Sequence, residues 1–195
     1  MSAKPDSNTH DFLEVFLIRH GQSKAQTGEE IGLDTHLSDT GKKQVRDAAE
    51  VLQQISFDRI CVSPLARAAE TAEIIVSGCG IPLQTDCRLQ ENTGTIQDIP
   101  EHRAESLWQD LCRTAETEPE VQRILLVTHA LFSSTFLAAV FGCTGSDSGS
   151  GIYARLGNAR MGWIRIPRQH HNLKILAGWN FSPQELQNPP DGSFY

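Results

Sequence analysis

The chain has no CxxC pair, no low-complexity tract and no internal repeat. Its five cysteines, at 61, 79, 87, 112 and 143, are odd in number and widely spaced. That excludes a disulfide framework or a zinc site and reads as reduced, mostly buried thiols of a cytosolic, hence cytoplasmic, protein. An excess of positive charge is also missing. With 17 Lys and Arg against 24 Asp and Glu, the formal net charge is -7, so nothing draws the chain as a whole to nucleic acid or to an anionic membrane. A membrane span is absent too: residues 124–140 are uncharged apart from His129, but Thr128, Ser133, Ser134 and Thr135 interrupt them, as in a strand followed by a helix. The first ten residues, MSAKPDSNTH, lack the apolar centre of a signal peptide and read as a flexible leader. The Gly/Ser-rich run 142–151 lacks the Lys-Ser/Thr ending of a phosphate-binding P-loop and reads as a loop.

What is present is an ordinary globular composition, 39% hydrophobic and 21% charged over 195 residues, sized for one domain. We place that domain at residues 11–181, with a Pro-rich, poorly ordered tail at 182–195. Strand and helix patterns alternate. Val15-Phe16-Leu17-Ile18 reads as a strand buried on both faces. Residues 24–36 are a polar loop. Ser38 is the N-cap of a helix whose apolar face is Val45, Ala48, Ala49, Leu52 and Ile55. Residues 57–62 are a second strand, and Ser63-Pro64 starts a helix, with Ser as N-cap. Residues 81–89 are an extended connection. Residues 101–118 form a third helix, 123–128 a buried strand and 131–141 an apolar helix. Residues 161–167 and 173–179 are two strands, with Gln169-His170-His171 in the hairpin turn between them. The predicted class is α/β: a three-layer α/β/α domain with a mainly parallel mixed central sheet.

In such a sheet the carboxyl ends of the parallel strands face one side, where ligands bind. The first strand ends in Arg19-His20-Gly21, and the 123–128 strand ends in His129. Arg67 lies in the first turn of the helix after the second strand, off its apolar stripe, and Glu91 lies in a loop. Together these five can surround one point. Two Arg residues and one cationic His would hold phosphoryl oxygens by charge-assisted bonds. A neutral His would attack phosphorus and a carboxylic acid would protonate the leaving oxygen.

These stretches resemble the histidine phosphatase superfamily, also called phosphoglycerate mutase-like. The matching residues are Leu17-Ile18-Arg19-His20-Gly21-Gln22-Ser23, Leu37-Ser38-Asp39-Thr40-Gly41, Val62-Ser63-Pro64-Leu65-Ala66-Arg67-Ala68, Thr71-Ala72, Leu89-Gln90-Glu91 and Val127-Thr128-His129, in family order. The resemblance implies that His20 is the nucleophile, that Arg19, Arg67 and His129 make the phosphate pocket, and that Glu91 is proton donor and later base. It implies no metal and no organic cofactor. The family commonly has Asn six residues after the nucleophile; here Gln26 stands there, with an amide able to contact phosphate on a longer arm. After the second His, where Gly is common, the chain has Ala130.

Glu91 and His129 are 38 residues apart, room for one helix. In the family that interval covers the substrate, and a short one leaves the phosphohistidine open to water. The expected reaction is therefore hydrolysis of a phosphate monoester by a small member of the family. Alternatives are a phosphohistidine or phosphoprotein phosphatase, phosphoglycerate mutase-type transfer, and a non-catalytic binding module on the same fold. The expected partner is a small phosphorylated substrate or a phosphoprotein, and the sequence leaves the oligomeric state open.

Overall fold

Val15, Phe16, Leu17 and Ile18 are buried in a central strand, β1 (Phe12–Arg19), in the computed structural model of the chain, which describes residues 11–92, 99–143, 152–169 and 173–187. After β1 come α1 (Lys24–Thr27), α2 (Asp39–Leu52), β2 (Arg59–Val62), α3 (Ala66–Val76), β3 (Leu83–Thr85), α4 (Pro100–Thr117), β4 (Arg123–Thr128), α5 (Ala130–Phe141), β5 (Met161–Pro167) and β6 (Ile175–Phe181). Among the described residues six strands form one sheet in the order β3-β2-β4-β1-β5-β6. The first four of that order run parallel, whereas β5 and β6 are antiparallel.

Alternation along the strands divides the core in two. Leu13, Val15 and Leu17 of β1 with Ile124 and Leu126 of β4 pack against α4 and α5. Phe16 and Ile18, with Leu125, Val127, Ile60 and Val62, pack against α2 and α3. This is the three-layer arrangement, and the sheet is mainly parallel and mixed.

Register is what assembles the site. Arg19 pairs with Thr128, and His20 N donates to the Thr128 carbonyl at 3.0 Å, so His20 and His129 leave neighbouring strands at the same height. On the other side of β4, Val62 pairs with Val127 and Ser63 N donates to the Val127 carbonyl at 3.0 Å. Thr128 Oγ1 donates to the Leu89 carbonyl at 2.8 Å, tethering the loop that carries Glu91.

Several local expectations change. The polar stretch after β1 begins with α1, capped by Ser23 and Gln26 in a reciprocal capping box. Strand β2 starts at Arg59, because the Asp58 carboxylate instead accepts from Gln122 N and Arg123 N at 2.7 and 2.9 Å. Helix α3 starts at Ala66 with Leu65 as N-cap, so Ser63 is not the cap; its hydroxyl is engaged by His129. The connection 81–89 contains β3 and a 3-10 turn, Cys87–Leu89, held by Asp86. Ser182 does not begin a loose tail: it caps a 3-10 turn, Pro183–Leu186, whose Gln184 reaches the Asp47 carbonyl of α2 at 2.6 Å. All five cysteines are free, as expected, but Cys79 and Cys87 are exposed and the other three are only partly buried. The leader, most of the 142–151 loop, His170 with His171, and residues 188–195 lie outside the described residues. Among the described residues, no helix is long and apolar enough to cross a membrane.

Candidate active site

The turn after β1 depends on a close approach of two backbones. A Cβ on Gly21 would lie 2.5 Å from the Gly41 carbonyl oxygen, and one on Gly41 would lie 2.0 Å from that of Gln22. Only glycine at both positions lets the turn rest on the start of α2. The turn is then locked: Ser38 Oγ donates to Gln22 Oε1 at 2.8 Å, and Gly21 N donates to Thr71 Oγ1 at 3.3 Å.

His20 is 3% exposed. Its Nδ1 lies 2.6 Å from the Gly21 carbonyl oxygen. A carbonyl only accepts, so Nδ1 carries the proton and Nε2 keeps a lone pair. Arg67 agrees with this tautomer, since its Nε donates to His20 Nε2 at 3.0 Å. Burial, and next the charge of Arg67, pushes the His20 pKa down to about 3. The imidazole is thus neutral, oriented and nucleophilic near neutral pH.

His129 faces it, with ring centroids 5.1 Å apart. Its Nε2 is hydrogen-bonded to Ser63 Oγ at 2.7 Å, while its Nδ1 is buried without a hydrogen-bond partner. Burial, then the neighbouring His20 and Arg67, holds its pKa well below the usual range. The cationic histidine expected from sequence is thus disfavoured here, first by its burial and then by the neighbouring His20 and Arg67.

Arg67, expected off the buried stripe of α3, is only 6% exposed. Its Nη1 donates to the Leu33 carbonyl, which folds the 28–36 loop over it. Arg19 donates from Nη1 to the Leu156 carbonyl at 3.0 Å, and its Nε is buried without a partner. Burial lowers the pKa of both arginines, and the charge of Glu91 opposes that shift in each.

Glu91 sits at the N-terminus of α5. Its Oε1 accepts from the backbone N–H groups of Asn92, Leu131 and Phe132 at 3.0, 3.1 and 3.0 Å. Among the described residues Oε2 is held only by Leu131 N, at 3.3 Å, and is the freer oxygen. The carboxylate satisfies helix donors that the N-cap residue, His129, leaves unpaired.

Gln26 lies at the exposed rim rather than against these groups. Its Oε1 accepts from Ser23 N at 3.0 Å, and its amide exchanges hydrogen bonds with the Asn158 side chain at 3.0 and 3.1 Å. Asn158 Nδ2 also donates to the His20 carbonyl at 3.2 Å, so Asn158 links Gln26 to His20. Among the described residues, no cluster of three or more His, Cys, Asp or Glu could hold a metal ion.

The structure thus brings five of the six sequence-derived residues together. Sequence reasoning missed Ser63 as the partner of His129, Thr71 under the Gly21 turn, and the 156–159 segment. Ala159 adopts a left-handed backbone (φ 52°), with its N–H donating to the Arg19 carbonyl at 3.1 Å. Only the Gly157-Asn158 pair before it signals a turn in the sequence.

The model of the histidine phosphatase superfamily (branch 1) matches residues 15–115. A probable phosphoglycerate mutase of Yersinia enterocolitica is 34% identical over 91 residues, which are 45% of this chain and 42% of that protein. The chain thus matches less than half the length of that relative. A mycobacterial glucosyl-3-phosphoglycerate phosphatase solved with VO3 has a TM-score of 0.71 at 22% identity, over 87% of this chain and 100% of that one. A phosphoserine phosphatase from Entamoeba histolytica in complex with 3-phosphoglyceric acid has a TM-score of 0.67 at 20% identity, over 87% and 98%. At these identities the two structures show a shared fold.

Proposed function

This chain belongs to the histidine phosphatase superfamily, and on that basis we propose that it is a metal-independent phosphatase hydrolysing a phosphate monoester through a phosphohistidine at His20. The observation that carries this reading is the tautomer of His20. With Nδ1–H committed to Gly21, the lone pair of Nε2 points to where Arg67 donates. Around it, Arg19 Nε and His129 Nδ1 are buried polar atoms without partners, and a phosphoryl oxygen would satisfy each. Ser63 supports this if its hydroxyl donates to His129 Nε2, which leaves the proton on Nδ1 facing the anion.

In the first step Nε2 forms a bond to phosphorus while the bond from phosphorus to the leaving oxygen breaks. That oxygen takes a proton from Glu91, carried on Oε2, the less encumbered atom. In the second step water attacks the phosphohistidine, Glu91 accepts its proton, and the N–P bond breaks to release inorganic phosphate. Arg19, Arg67 and His129 offset the charge on the equatorial oxygens throughout. The five free cysteines accord with a cytoplasmic setting.

Release of phosphate from an aryl phosphate without added metal, together with label on His20 after an alkaline denaturing quench, is the expected result. Label on Ser, Cys or Asp, or release no greater than that of the His20→Ala variant between pH 4 and 9, would sink the reading. A second reading, phosphoglycerate mutase-type transfer, is favoured by the Yersinia relative. It requires exchange between phosphoglycerate isomers to outpace hydrolysis.

A further inference from the structure

The segment that supports Arg19 also carries a cation that the hydrolytic steps do not use. Residues 152–157 have no regular structure but are pinned along their length. Ser134 Oγ accepts from Ala154 N at 2.6 Å and donates to the Ile152 carbonyl at 3.0 Å. Ser133 Oγ accepts from Leu156 N at 3.4 Å, and Trp179 Nε1 donates to the Ala154 carbonyl at 2.9 Å. The Leu156 carbonyl then receives Arg19 Nη1.

Exposure alternates along this pinned segment. Ile152, Ala154 and Leu156 join the core under α4 and α5, whereas Tyr153 and Arg155 are exposed, Tyr153 by 74%. The guanidinium carbon of Arg155 stands 4.5 Å from the Tyr153 ring centroid. Stacking of this kind holds a long side chain in place while leaving its N–H edge free for a planar anion. Among the described residues no carboxylate pairs with Arg155. Its charge reaches the site: after burial, and with Glu91 opposing, Arg67 and Arg155 both lower the pKa of Arg19.

We propose that Arg155, braced by Tyr153, is a specificity-determining residue that binds a second anionic group, carboxylate or phosphate, on the leaving group of the substrate. The substrate class is then small phosphorylated acids or bisphosphates rather than phosphorylated alcohols and amines. This rests on the phosphatase reading above, and deepens it.

The test uses substrate pairs that differ at one group. Glycerol 3-phosphate against 3-phosphoglycerate, and phosphoethanolamine against phosphoserine, add a carboxylate; 1,3-propanediol monophosphate against its bisphosphate adds a phosphate. For at least one kind of added anion the full chain should prefer the more anionic member by about 10- to 100-fold in kcat/KM, the worth of one charge-assisted pair. Which pairs respond tells carboxylate from phosphate. Arg155→Ala should bring that ratio close to one, chiefly through KM, Arg155→Lys should restore part of it, and Arg155→Glu should invert it. Equal ratios in all pairs, or a preference that Arg155→Ala leaves intact, would overturn the assignment while leaving the phosphatase reading standing. Calorimetric binding of each pair to the His20→Ala variant repeats the test without turnover. An Arg155-dependent binding preference, found while the unaltered chain hydrolyses none of these compounds, would keep this assignment and remove the phosphatase reading. Binding with no such preference would remove this assignment.

Discussion

Strands β1 and β4 lie side by side, are buried along their apolar runs and each lead into a histidine, yet the two imidazoles are wired in opposite ways. His20 donates from Nδ1 to the next residue's carbonyl and presents Nε2 as an acceptor. His129 is engaged at Nε2 by Ser63 and leaves Nδ1 unpartnered. The cause lies in the path the backbone takes on leaving each strand. After His20 the chain turns sideways against α2, through the Gly21 and Gly41 contact, which brings the Gly21 carbonyl back to the ring. After His129 it continues directly into α5 through Ala130. A strand delivers a histidine to the site; the path the chain takes behind it decides which ring nitrogen is engaged and which is left open.

Removing His20 should break the symmetry most. His20→Ala should lower kcat by about 10^4-fold or more and abolish covalent labelling. His129→Ala should cost about 10^2- to 10^3-fold in kcat/KM, as loss of one oxyanion donor does, with label still on His20. Stopped-flow labelling and steady-state rates separate the two; equal losses with no label in either variant would erase the proposed division of roles. Gly41→Ala attacks the turn that makes His20 different. A methyl 2.0 Å from a backbone oxygen has no room, and a loss of about 3 kcal/mol in urea unfolding is expected.

Acid should then act on both rings alike. Each has a folded-state pKa below its unfolded value near 6.5, with His20 at about 3. Between those values the unfolded chain binds more protons, so stability is full above about pH 6.5 and falls as pH falls toward 3. From pH 7.5 to 5, His20 alone should account for about 2 kcal/mol, and His20→Asn should flatten the decline seen in urea midpoints. The smallest effect is expected from Ser63→Ala, about 10-fold in kcat/KM with an altered pH profile, since it frees the His129 tautomer without removing the ring. An unaltered profile would deny Ser63 that role.

The strand ends and the two arginines are legible in the sequence because each carries its chemistry next to a strong local pattern, an apolar run or a helix start, whereas Glu91, in a loop, is picked out only by the family resemblance. Ser63 is misread there because Ser-Pro is a good local cap signal, and its true partner, His129, is 66 positions away. Gln26 is assigned to the phosphate by the family resemblance alone. The structure instead engages its amide with Ser23 and with Asn158, 132 positions on, which no local pattern announces. Arg155 has no signal at all: its meaning comes from the Leu156 carbonyl meeting Arg19 across 137 positions. Helix caps that lose to tertiary partners, at Ser63 and at His129, show where long-range register overrides local preference.

The position of β4 in the sheet has a consequence for how the protein is made. β1 and β2 leave the ribosome first, but the strand that lies between them, β4, is synthesised about sixty residues after β2 ends. Until it arrives, the nascent chain carries two apolar strands with unpaired edges and no middle to the sheet, a species open to mispairing with its neighbours. Insertion of β4 closes both edges and sets His129 beside His20 in one event, so a chain halted before residue 123 should be sticky as well as inactive.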